Sequence, residues 1–592
     1  MINRAFRLAL GLAAFVPAAA VAQGVTQAAP QTGAPAPPDW SVLERPRTNT
    51  PKPTTTAITV EDLRTRLFLF SDDSMRGRVL GDRGNVMGTN YIAAELKRMG
   101  LEPAGENGTY LQLVPVVDRA LDDSKHVMAG GKMFEPWKDF VPRDNGDGQR
   151  SIDGVPVVYG GVWGDQAKML PRDQAAGKVV IVAMKPGEAG SGIPGLPNRQ
   201  VVTAYFQAAN AVLVIGMGSL PPQAIAIYRE PQGGMKNESA PALPQYIYIS
   251  GDMARASLGA DPATLAAGAQ GQPFTGNPTW KETPIANPAR NVIGILRGSD
   301  PVLKNEYVAI GAHNDHIGVD PEPQPHDSVY VVNHLYRLQG ADDGPPRLTT
   351  ADAEKVNALL AEIRKKTNGA SARMDSVYNG ADDDGSGSVS VLEMAEYFAG
   401  QRARPKRSLL FIWHVGEEEG LFGSQWFTDH PTVPRDAIVT ELNMDMVGRG
   451  DASDVTGVTK DGAKIHGGPN YVQLIGSRRL STELGDLVEK VNKDKGHHMT
   501  LDYSLDADGH PQNIYCRSDH YEYARYGIPI TFFTTGGHAD YHQLTDEPQY
   551  IDYPHMQRVV TFVKDIAVAV ANLPKRPVVD KPKPDPKGNC QQ

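Results

Sequence analysis

The sequence predicts an α/β fold in which a mixed, mostly parallel sheet is flanked by helices and carries a small inserted β-rich domain. Three observations support this prediction. Four continuous apolar runs follow residue 290, and such runs are typical of buried parallel strands. Two segments before residue 101 have apolar residues at helical spacing. Between about 120 and 285, short apolar runs are separated by glycine and proline.

Length and composition narrow the class of protein. A chain of 592 residues is too long for one ordinary core, so we expect two domains or one domain with a large insertion. An apolar content of 40% and a charged content of 22% are typical of a globular protein. The net charge of −10 argues against a nucleic-acid-binding protein, which needs a basic face. The composition does not predict an oligomeric state.

Residues 1–22 are predicted to be a signal peptide. Arg4 and Arg7 flank the start of a short apolar run, and small residues at Ala20 and Ala22 suit cleavage after Ala22. The run is too short for a membrane span, although an uncleaved anchor is the alternative. We see no second stretch long enough to cross a membrane. We therefore expect an exported protein, periplasmic or secreted, with no membrane span after cleavage.

The next elements follow in chain order. Residues 23–57, rich in proline, threonine and alanine, are predicted to be a flexible linker. The first part of the larger domain, 58–119, contains two predicted helices, "TVEDLRTRLFLF" and "GTNYIAAELKRMG". The insert, 120–285, contains the predicted strands "GVPVVYGG", "GKVVIVAM", "AVLVIGMG" and "PQYIYIS" and one predicted helix, "VVTAYFQAAN".

The second part of the larger domain, 286–573, contains the four long apolar runs. These predicted strands are "EYVAIGA", "RSLLFIWHV", "AIVTELNM" and "IPITFFT". Between the first two lies a connection, 321–377, with one predicted helix, "TTADAEKVNALLAEIRKKT". Connections of this length are usually functional, so we expect a lid.

The end of the chain, 574–592, is rich in proline and lysine and is predicted to be a disordered tail. It contains Cys590, whereas the other cysteine, Cys516, lies in a predicted core segment. Two cysteines are few for an exported protein, and the sequence leaves open whether they form a disulfide.

Each of the four predicted strands ends at side chains that can bind a metal ion. Sites in open α/β sheets form beyond the carboxyl ends of the strands. The side chains at these ends are His313 and Asp315; Glu417, Glu418 and Glu419; Asp445; and His538, Asp540, Tyr541 and His542. Each group alone is common in loops, but four groups at one edge of a sheet predict a metal site. Imidazole suits zinc, and carboxylates can bridge two ions.

The stretch "YNGADDDGSGSVSVLEMA", 378–395, carries three adjacent carboxylates that need a cation nearby. From Asp382 it also matches the calcium loop of an EF-hand, with Glu393 at the twelfth position. The dipeptide Asn379-Gly380 argues against this alternative, because an EF-hand needs a helix that runs directly into the loop. Apolar residues around Glu393 also indicate a buried helix face.

These segments together resemble the dinuclear zinc exopeptidases of clan MH, a family of aminopeptidases, glutamate carboxypeptidases and glutaminyl cyclases. The segments that carry the resemblance are "AHND", "GADDDGSG", "EEEGLFGS", "NMDMVG", "RSDHYEYARYGIP" and "DYH". The resemblance covers about 58–118 and 286–572. It implies the zinc aminopeptidase fold, and the 120–285 region resembles the protease-associated domain that some members carry as an insert.

The resemblance also implies roles for the residues that match its motifs. His313 and Asp445 would bind one zinc ion, Glu418 and His542 would bind the other, and Asp383 would bridge the two. The flanking Asp382 and Asp384 would hydrogen-bond nearby amides or lie at the rim.

The same resemblance implies the catalytic roles. Glu417 would be the general base for a water bound to both zinc ions, Asp315 would orient His313, and Tyr541 would help to stabilise the oxyanion. Arg517 is predicted to bind a substrate carbonyl or carboxylate, or to form a salt bridge with a nearby acid. His538 and His520 are expected to be structural or rim residues.

The resulting prediction is an exported zinc aminopeptidase that removes N-terminal residues from peptides. A glutamate carboxypeptidase would need a basic cluster beyond Arg517. A glutaminyl cyclase typically uses one zinc ion, whereas the five matching ligands favour two ions. A non-catalytic binding module would lack some of these ligands. The sequence predicts neither the preferred N-terminal residue nor the natural substrate, and it names zinc only as the metal that suits these ligands.

Overall fold

The computed structural model describes residues 38, 40–143, 148–185, 196–236, 242–366, 373–588 and 590–592. The predicted signal peptide and the first part of the predicted linker, up to residue 37, lie outside the described residues. The chain divides into two compact units, of which the larger comprises 1–114 and 286–592 and the smaller comprises 115–285. The predicted insert, 120–285, falls within the smaller unit.

The described residues form twelve α-helices. In chain order they are α1 (Val60–Phe70), α2 (Arg83–Met99), α3 (Arg199–Tyr205), α4 (Pro222–Arg229), α5 (Gly251–Leu258), α6 (His326–Tyr336), α7 (Thr350–Lys366), α8 (Gly387–Gly400), α9 (Phe422–Asp429), α10 (Thr482–Asp494), α11 (His520–Ala524) and α12 (Tyr553–Asn572). None of the helices in these ranges combines the length and the apolar character that crossing a membrane requires.

The same residues form twenty-four β-strands. They are β1 (Glu102–Pro103), β2 (Leu111–Val114), β3 (Val116–Leu121), β4 (Val127–Ala129), β5 (Lys132–Phe134), β6 (Phe140–Arg143), β7 (Val157–Trp163), β8 (Val179–Met184), β9 (Ala211–Ile215), β10 (Gln232–Met235), β11 (Gln245–Ile249), β12 (Gln270–Gly271), β13 (Trp280–Pro284), β14 (Ala289–Leu296), β15 (Tyr307–His313), β16 (Val319–Pro325), β17 (Met374–Val377), β18 (Ser408–His414), β19 (Ile438–Met444), β20 (Val455–Val458), β21 (Lys464–His466), β22 (Tyr471–Ile475), β23 (Thr500–Asp502) and β24 (Ile530–Thr534).

The larger unit contains a nine-stranded mixed sheet in the order β1, β14, β18, β15, β19, β24, β22, β23, with β2 also paired to β14. The four central strands β18, β15, β19 and β24 are mutually parallel. On either side of them, β14 is antiparallel to β18 and β22 is antiparallel to β24. The four parallel strands are the four long apolar runs of the sequence, and the predicted α/β fold is confirmed.

Helices cover both faces of this sheet. On β15, Val308, Ile310 and Ala312 belong to a core cluster that includes side chains of α1, α8 and α12. The alternate residues Tyr307 and Ala309 belong to a second cluster with side chains of α9 and α11. Successive strand residues point to opposite faces, so burial on both faces explains the continuous apolar sequence.

The smaller unit is rich in β-structure. Its main sheet has six strands in the order β12, β7, β8, β9, β11, β6, and β7, β8, β9 and β11 are parallel. The antiparallel strands β10, β3 and β13 form a second sheet, and β4 pairs with β5. The four strands and the helix predicted for this region correspond to β7, β8, β9, β11 and α3.

A buried charge cluster joins three helices of the larger unit. Arg66 of α1 donates hydrogen bonds to Glu393 of α8 at 3.0 Å and to Glu95 of α2 at 2.8 Å. It also pairs with Glu396 of α8. Arg66 is only 1% exposed, and Glu95 and Glu396 also pair with Arg98, so removal of Arg66 would leave Glu393 in the core without its counterion.

Arg66→Met is therefore expected to lower the free energy of unfolding by about 3–5 kcal/mol, the usual effect of removing one partner of a buried ion pair. Urea unfolding followed by far-UV circular dichroism measures the change. The control is Lys52→Met, which removes the exposed partner of Glu61 and should leave the unfolding midpoint nearly unchanged. Equal stabilities of the two variants would contradict the prediction.

The prediction of a disordered tail over 574–592 is wrong for its described residues. Cys590 forms a disulfide with Cys516. The side chain of Gln592 accepts a hydrogen bond from the amide of Tyr515 at 3.0 Å, and the amide of Asp580 donates to the main chain at residue 480. A sequence without core-forming residues can still bind another segment through backbone groups and a covalent crosslink.

Cys590→Ser is expected to lower the free energy of unfolding by up to about 4 kcal/mol, because the disulfide closes a loop with a sequence separation of 74 residues. Urea unfolding without reductant measures this change. Cys516→Ser and the double variant should give the same value as Cys590→Ser, since all three remove one bond. A variant as stable as the oxidised wild type would show that the disulfide does not contribute.

Candidate metal centre

The predicted ligands follow the four parallel strands. His313 is the last residue of β15, Glu418 follows β18, Asp445 follows β19, and His542 lies in the loop after β24. Because these strands are adjacent and parallel, their carboxyl ends meet at one edge of the sheet. The fifth predicted ligand, Asp383, lies in the loop before α8.

Asp383 lies between two groups of candidate ligands. Its Oδ1 is 3.2 Å from Nε2 of His313, and its Oδ2 is 2.7 Å from Nε2 of His542. Oδ1 of Asp445 lies 3.6 Å from the same nitrogen of His313, and Oε2 of Glu418 lies 3.0 Å from the same nitrogen of His542. The carboxylate of Asp383 thus faces two pairs of side chains, each made of one histidine and one acid. It turns a different oxygen toward each pair.

A further histidine, His316, joins the second group and was not named from the sequence. Its Nδ1 lies 2.7 Å from Oε1 of Glu418 and 3.8 Å from Oδ2 of Asp383. Ligand atoms of His316, Asp383, Glu418 and His542 all lie within 4.8 Å of one another. The available signal was position, because His316 follows His313 by three residues, just beyond the end of β15.

The side chains around His313 fit a cation. Its Nε2 is buried and makes no hydrogen bond to any described residue, although oxygens of Asp383 and Asp445 lie within 3.6 Å. Polar atoms that converge in this way without hydrogen bonds are the arrangement expected of ligands around a shared ion. A donor set of imidazoles and carboxylates suits zinc, and it also accepts cobalt or manganese.

Protons and metal ions compete for these atoms. Burial lowers the pKa of His542, but Glu418 and Asp383 outweigh it and raise the pKa to about 10. Burial raises the pKa of Asp383, but the neighbouring imidazoles of His542 and His313 hold it well below its usual range. Because a metal must displace the proton of the imidazole, the affinity of this group for metal increases with pH.

The loop before α8 is fixed by residues distant in the sequence. The carboxylate of Asp546 accepts hydrogen bonds from the amides of Asp382 and Asp383, at 3.0 and 3.1 Å. The buried Arg78 donates to the carbonyl oxygen of Gly380 at 2.8 Å. Gly380 has a φ of 56°, and a Cβ there would lie 2.2 Å from the carbonyl oxygen of Asp383. This position therefore requires glycine.

The two aspartates that flank Asp383 are bound to amides. Oδ1 of Asp382 accepts from the amide of Gly448 at 2.7 Å. Asp384 accepts from the amide of His313 at 3.0 Å and from that of Gly387 at 2.9 Å. Both side chains are fully buried, so neither lies at a rim. The three adjacent carboxylates thus have different surroundings, and Asp383 is the one placed between the histidines.

The geometry does not support the calcium-loop alternative. Glu393, the twelfth residue of that loop, lies on α8 and is bound to Arg66 and to the amide of Thr59. The segment before the aspartates contains β17 rather than a helix. An EF-hand needs the entering helix and a free glutamate at this position.

Glu417 lies next to the His313 group. Its amide donates to Oδ1 of Asp315 at 3.3 Å. Burial raises the pKa of the Glu417 carboxyl well above its usual range, with His313 opposing and Asp445 adding to the shift. A raised pKa suits a group that accepts and returns a proton near neutral pH.

Asp315 was predicted to orient His313. Nδ1 of His313 is 3.2 Å from the carbonyl oxygen of Asp315 and 3.7 Å from its carboxylate, so the backbone of residue 315 makes the closer contact.

Arg517 and Tyr541 lie beside the second group of ligands. The ring of Tyr541 stacks on that of His542 with centroids 4.0 Å apart. Arg517 donates to the hydroxyl of Tyr541 at 3.2 Å and forms two hydrogen bonds of 3.1 Å with Asp342. The salt bridge that the sequence left open for Arg517 is therefore present.

Residues 361–567 match the family model described as Peptidase family M28. The matched range contains Asp383, Glu417, Glu418, Asp445 and His542. The chain carries a peptidase M28 domain. The resemblance to the zinc exopeptidases of clan MH is thus confirmed, whereas the likeness of 120–285 to a protease-associated domain stays a prediction.

Known proteins resemble parts of this chain. Leucine aminopeptidase 1 of Coccidioides posadasii is 30% identical over 205 residues, which are 32% of this chain and 47% of that protein. Leupeptin-inactivating enzyme 1 of Streptomyces exfoliatus is 39% identical over 82 residues, 13% of this chain and 19% of that protein. A vacuolar membrane protease of Verticillium alfalfae is 47% identical over 62 residues, 10% of this chain and 6% of that protein. The chain thus spans about half or less of the length of these relatives.

Two solved structures align with most of the chain. The aminopeptidase from Aneurinibacillus sp. strain AM-1 has a TM-score of 0.42 and 15% identity, with 89% of this chain and 97% of that chain covered. The zinc aminopeptidase from Bacillus subtilis has a TM-score of 0.41 and 14% identity, with 87% and 95% covered.

Two other histidines of the M28 domain, predicted from the sequence to be structural or rim residues, are buried. Nε2 of His538 lies 3.2 Å from Oδ2 of Asp382, and burial lowers the pKa of His538 to about 4. The ring of His520 stacks on Phe532 at 4.7 Å. Neither side chain belongs to the two groups of candidate ligands around Asp383.

A separate buried group, His326, Asp375 and Glu547, also brings three ligand atoms within 4.8 Å. Here a cation is already present, because Arg373 lies 2.6 Å from Glu547 and 3.0 Å from Asp375. The arginine balances these carboxylates, so this group does not need a metal ion.

Proposed function

We propose that this protein is a zinc-dependent aminopeptidase that holds two metal ions. The observation that carries the proposal is the position of Asp383, whose two carboxylate oxygens face His313 and His542 separately. A carboxylate placed in this way suits a bridge between two cations.

In this proposal, His313 and Asp445 would hold one ion, Glu418 and His542 would hold the other, and Asp383 would be shared by the two. His316 is close enough to Glu418 to orient this carboxylate or to join the second ion directly. Zinc bound here would supply Lewis acidity, which polarises the scissile carbonyl and makes water acidic near neutral pH.

The side chains of the protein carry the proton transfers. Glu417 takes a proton from the attacking water as the oxygen of that water bonds to the carbonyl carbon of the peptide. It then gives the proton to the amine as the carbon–nitrogen bond breaks. The hydroxyl of Tyr541, placed by its contact with Arg517, donates toward the oxygen on which negative charge develops.

Several observations favour an aminopeptidase over the alternatives. Of the relatives named above, one carries the name leucine aminopeptidase 1 and another the name leupeptin-inactivating enzyme 1. A glutamate carboxypeptidase needs a cationic group that is free to bind the carboxylate of its substrate. The best-placed cation, Arg517, is already paired with Asp342. A glutaminyl cyclase with one zinc would leave part of the ligand set unused.

The remaining parts of the chain fit an exported peptidase. A disulfide between Cys516 and Cys590 is typical of a compartment that is oxidising, which supports export by the predicted signal peptide. We assign the 115–285 unit as a protease-associated domain, on the basis of its parallel strands and its position as an insert. Peptides are the proposed substrates.

The test measures metal content and activity together. The chain without residues 1–22 is purified without added metal or chelator, and zinc per chain is counted by elemental mass spectrometry. Leucine p-nitroanilide is the substrate, and N-acetyl-leucine p-nitroanilide is the matched control with a blocked amine. We expect about two zinc ions per chain, hydrolysis of the free amine only, loss of activity with a chelator and recovery with zinc.

Other outcomes have defined meanings. One zinc ion per chain without anilide hydrolysis would favour the cyclase. Calcium without zinc would refute the peptidase. Equal hydrolysis of the blocked substrate would show an enzyme that does not recognise the free N-terminus.

A further inference from the structure

A carboxylate of the 321–377 connection forms an ion pair with an arginine beside the metal centre. Asp342 lies in a short turn of this connection, between α6 and α7. Its two oxygens accept hydrogen bonds from Nη1 and Nη2 of Arg517, both at 3.1 Å. This bidentate arrangement is the one in which guanidinium groups bind carboxylates most strongly.

The turn that carries Asp342 is fixed to the loop of His542. The amide of Ala341 donates to the carbonyl oxygen of Tyr541 at 3.0 Å. A Cβ at Gly340 would lie 2.4 Å from the same oxygen, so the close approach requires glycine at this position. Arg337 donates to the side chain of Gln543 at 3.0 Å. The Asp342 carboxylate is therefore held in place by contacts other than its own ion pair.

The ion pair lies within reach of a substrate. Side chains of Arg517 and Asp342 are 36% and 19% exposed. Arg517 also contacts the hydroxyl of Tyr541, whose ring stacks on His542. Only one tyrosine side chain thus separates the guanidinium from a candidate metal ligand. In the proposed aminopeptidase, a group this close to the metal centre would meet the residue that follows the scissile bond.

We propose that Asp342 sets the substrate class of this centre by neutralising Arg517. The inference rests on the proposed aminopeptidase function. With its paired N–H groups bound to Asp342, Arg517 cannot bind the free carboxylate of a dipeptide. The enzyme therefore does not favour dipeptides over substrates in which the second residue continues as an amide. Asp342 is a positioning residue in this scheme, because it acts on the substrate through Arg517.

The test compares two substrates that differ only in a carboxylate. Leu-Gly and Leu-Gly-amide are hydrolysed by wild type and by Asp342→Asn, and the ratio of kcat/KM for the acid over the amide is measured. The variant releases the guanidinium, so we expect this ratio to rise by about tenfold or more, the usual gain from hydrogen bonds between charged groups. If the role of Asp342 were purely structural, the variant would change kcat/KM for both substrates by the same factor and leave the ratio unchanged.

Three further variants sharpen the test. Asp343→Asn changes the adjacent acid, which accepts from the amide of Gln339, and should keep the wild-type ratio. The double variant Asp342→Asn/Arg517→Gln should lose the gain, because the released guanidinium is gone. Arg517→Gln alone should not lower the ratio. This variant keeps the proposal testable if Asp342→Asn does not fold, which thermal unfolding reports.

Defined results would overturn the proposal. An unchanged ratio in folded Asp342→Asn, with both substrates cleaved, refutes the role of Asp342 and leaves the aminopeptidase function intact. A large fall in the ratio for Arg517→Gln would mean that Arg517 already binds the substrate carboxylate in the wild type. If wild type cleaves neither Leu-Gly-amide nor leucine p-nitroanilide, the proposed function fails and this inference fails with it.

Discussion

Asp383→Ala is expected to abolish hydrolysis and to reduce the zinc content from the proposed two ions per chain to less than one. The variant removes the carboxylate whose two oxygens face His313 and His542 separately. Loss of residues that merely orient metal ligands weakens metal binding by about 10–100-fold, and loss of a ligand to both ions should exceed this range. Elemental mass spectrometry and anilide hydrolysis on the same sample measure the two effects.

Folding of this variant must be tested separately. The backbone of the loop before α8 is held by Asp546 and Arg78, not by the side chain of residue 383, so the far-UV spectrum should match that of the wild type. A variant that keeps two zinc ions would contradict the bridging role. A variant that keeps one ion and much of its activity would show that a single ion suffices.

Glu417→Gln is expected to keep both zinc ions and to lose about 10²–10⁴-fold in kcat, the usual contribution of a general acid–base group. Glutamine has nearly the same shape but cannot accept the proton of the attacking water. The pH profile of kcat/KM for the wild type should fall at low pH as Glu417 becomes protonated. The variant should lack this limb because its side chain does not titrate.

The matched control is Glu419→Gln, which changes another acid of the same "EEE" run. The candidate ligand groups include Glu418 but not Glu419 among the described residues, so this variant should keep its activity and its metal. A loss of activity in Glu419→Gln together with an active Glu417→Gln would assign the base to residue 419.

The sheet could be predicted because each central strand is buried on both faces. Strands β15, β18, β19 and β24 are therefore mostly apolar along their length, a local signal that needs no knowledge of neighbours. The position of the polar residues that follow these strands could also be predicted, because a ligand immediately after an apolar run must lie at the edge of the sheet. The motif resemblance then assigned His313 and Asp445 to one group and His542 to the other.

The contacts that the sequence did not reveal join distant segments. Nothing near Asp342 in the sequence indicates that it meets Arg517, because the two are brought together by the turn bound to Tyr541. His316 was not predicted as a ligand because a histidine in a loop has no periodic pattern. The Cys516–Cys590 pairing depends on where the tail lies, and the tail has no apolar pattern from which to place it.

The wide spread of the ligands along the chain determines when the protein can acquire its metal. The first, His313, and the last, His542, lie on strands that become neighbours only once β15, β19 and β24 have assembled. During biosynthesis, a chain that has emerged only as far as β19 has no complete site. Unfolded chains rarely contain preformed metal sites. Metallation is therefore a late event, and the supply of ions in the compartment where the chain folds decides which ion it takes up.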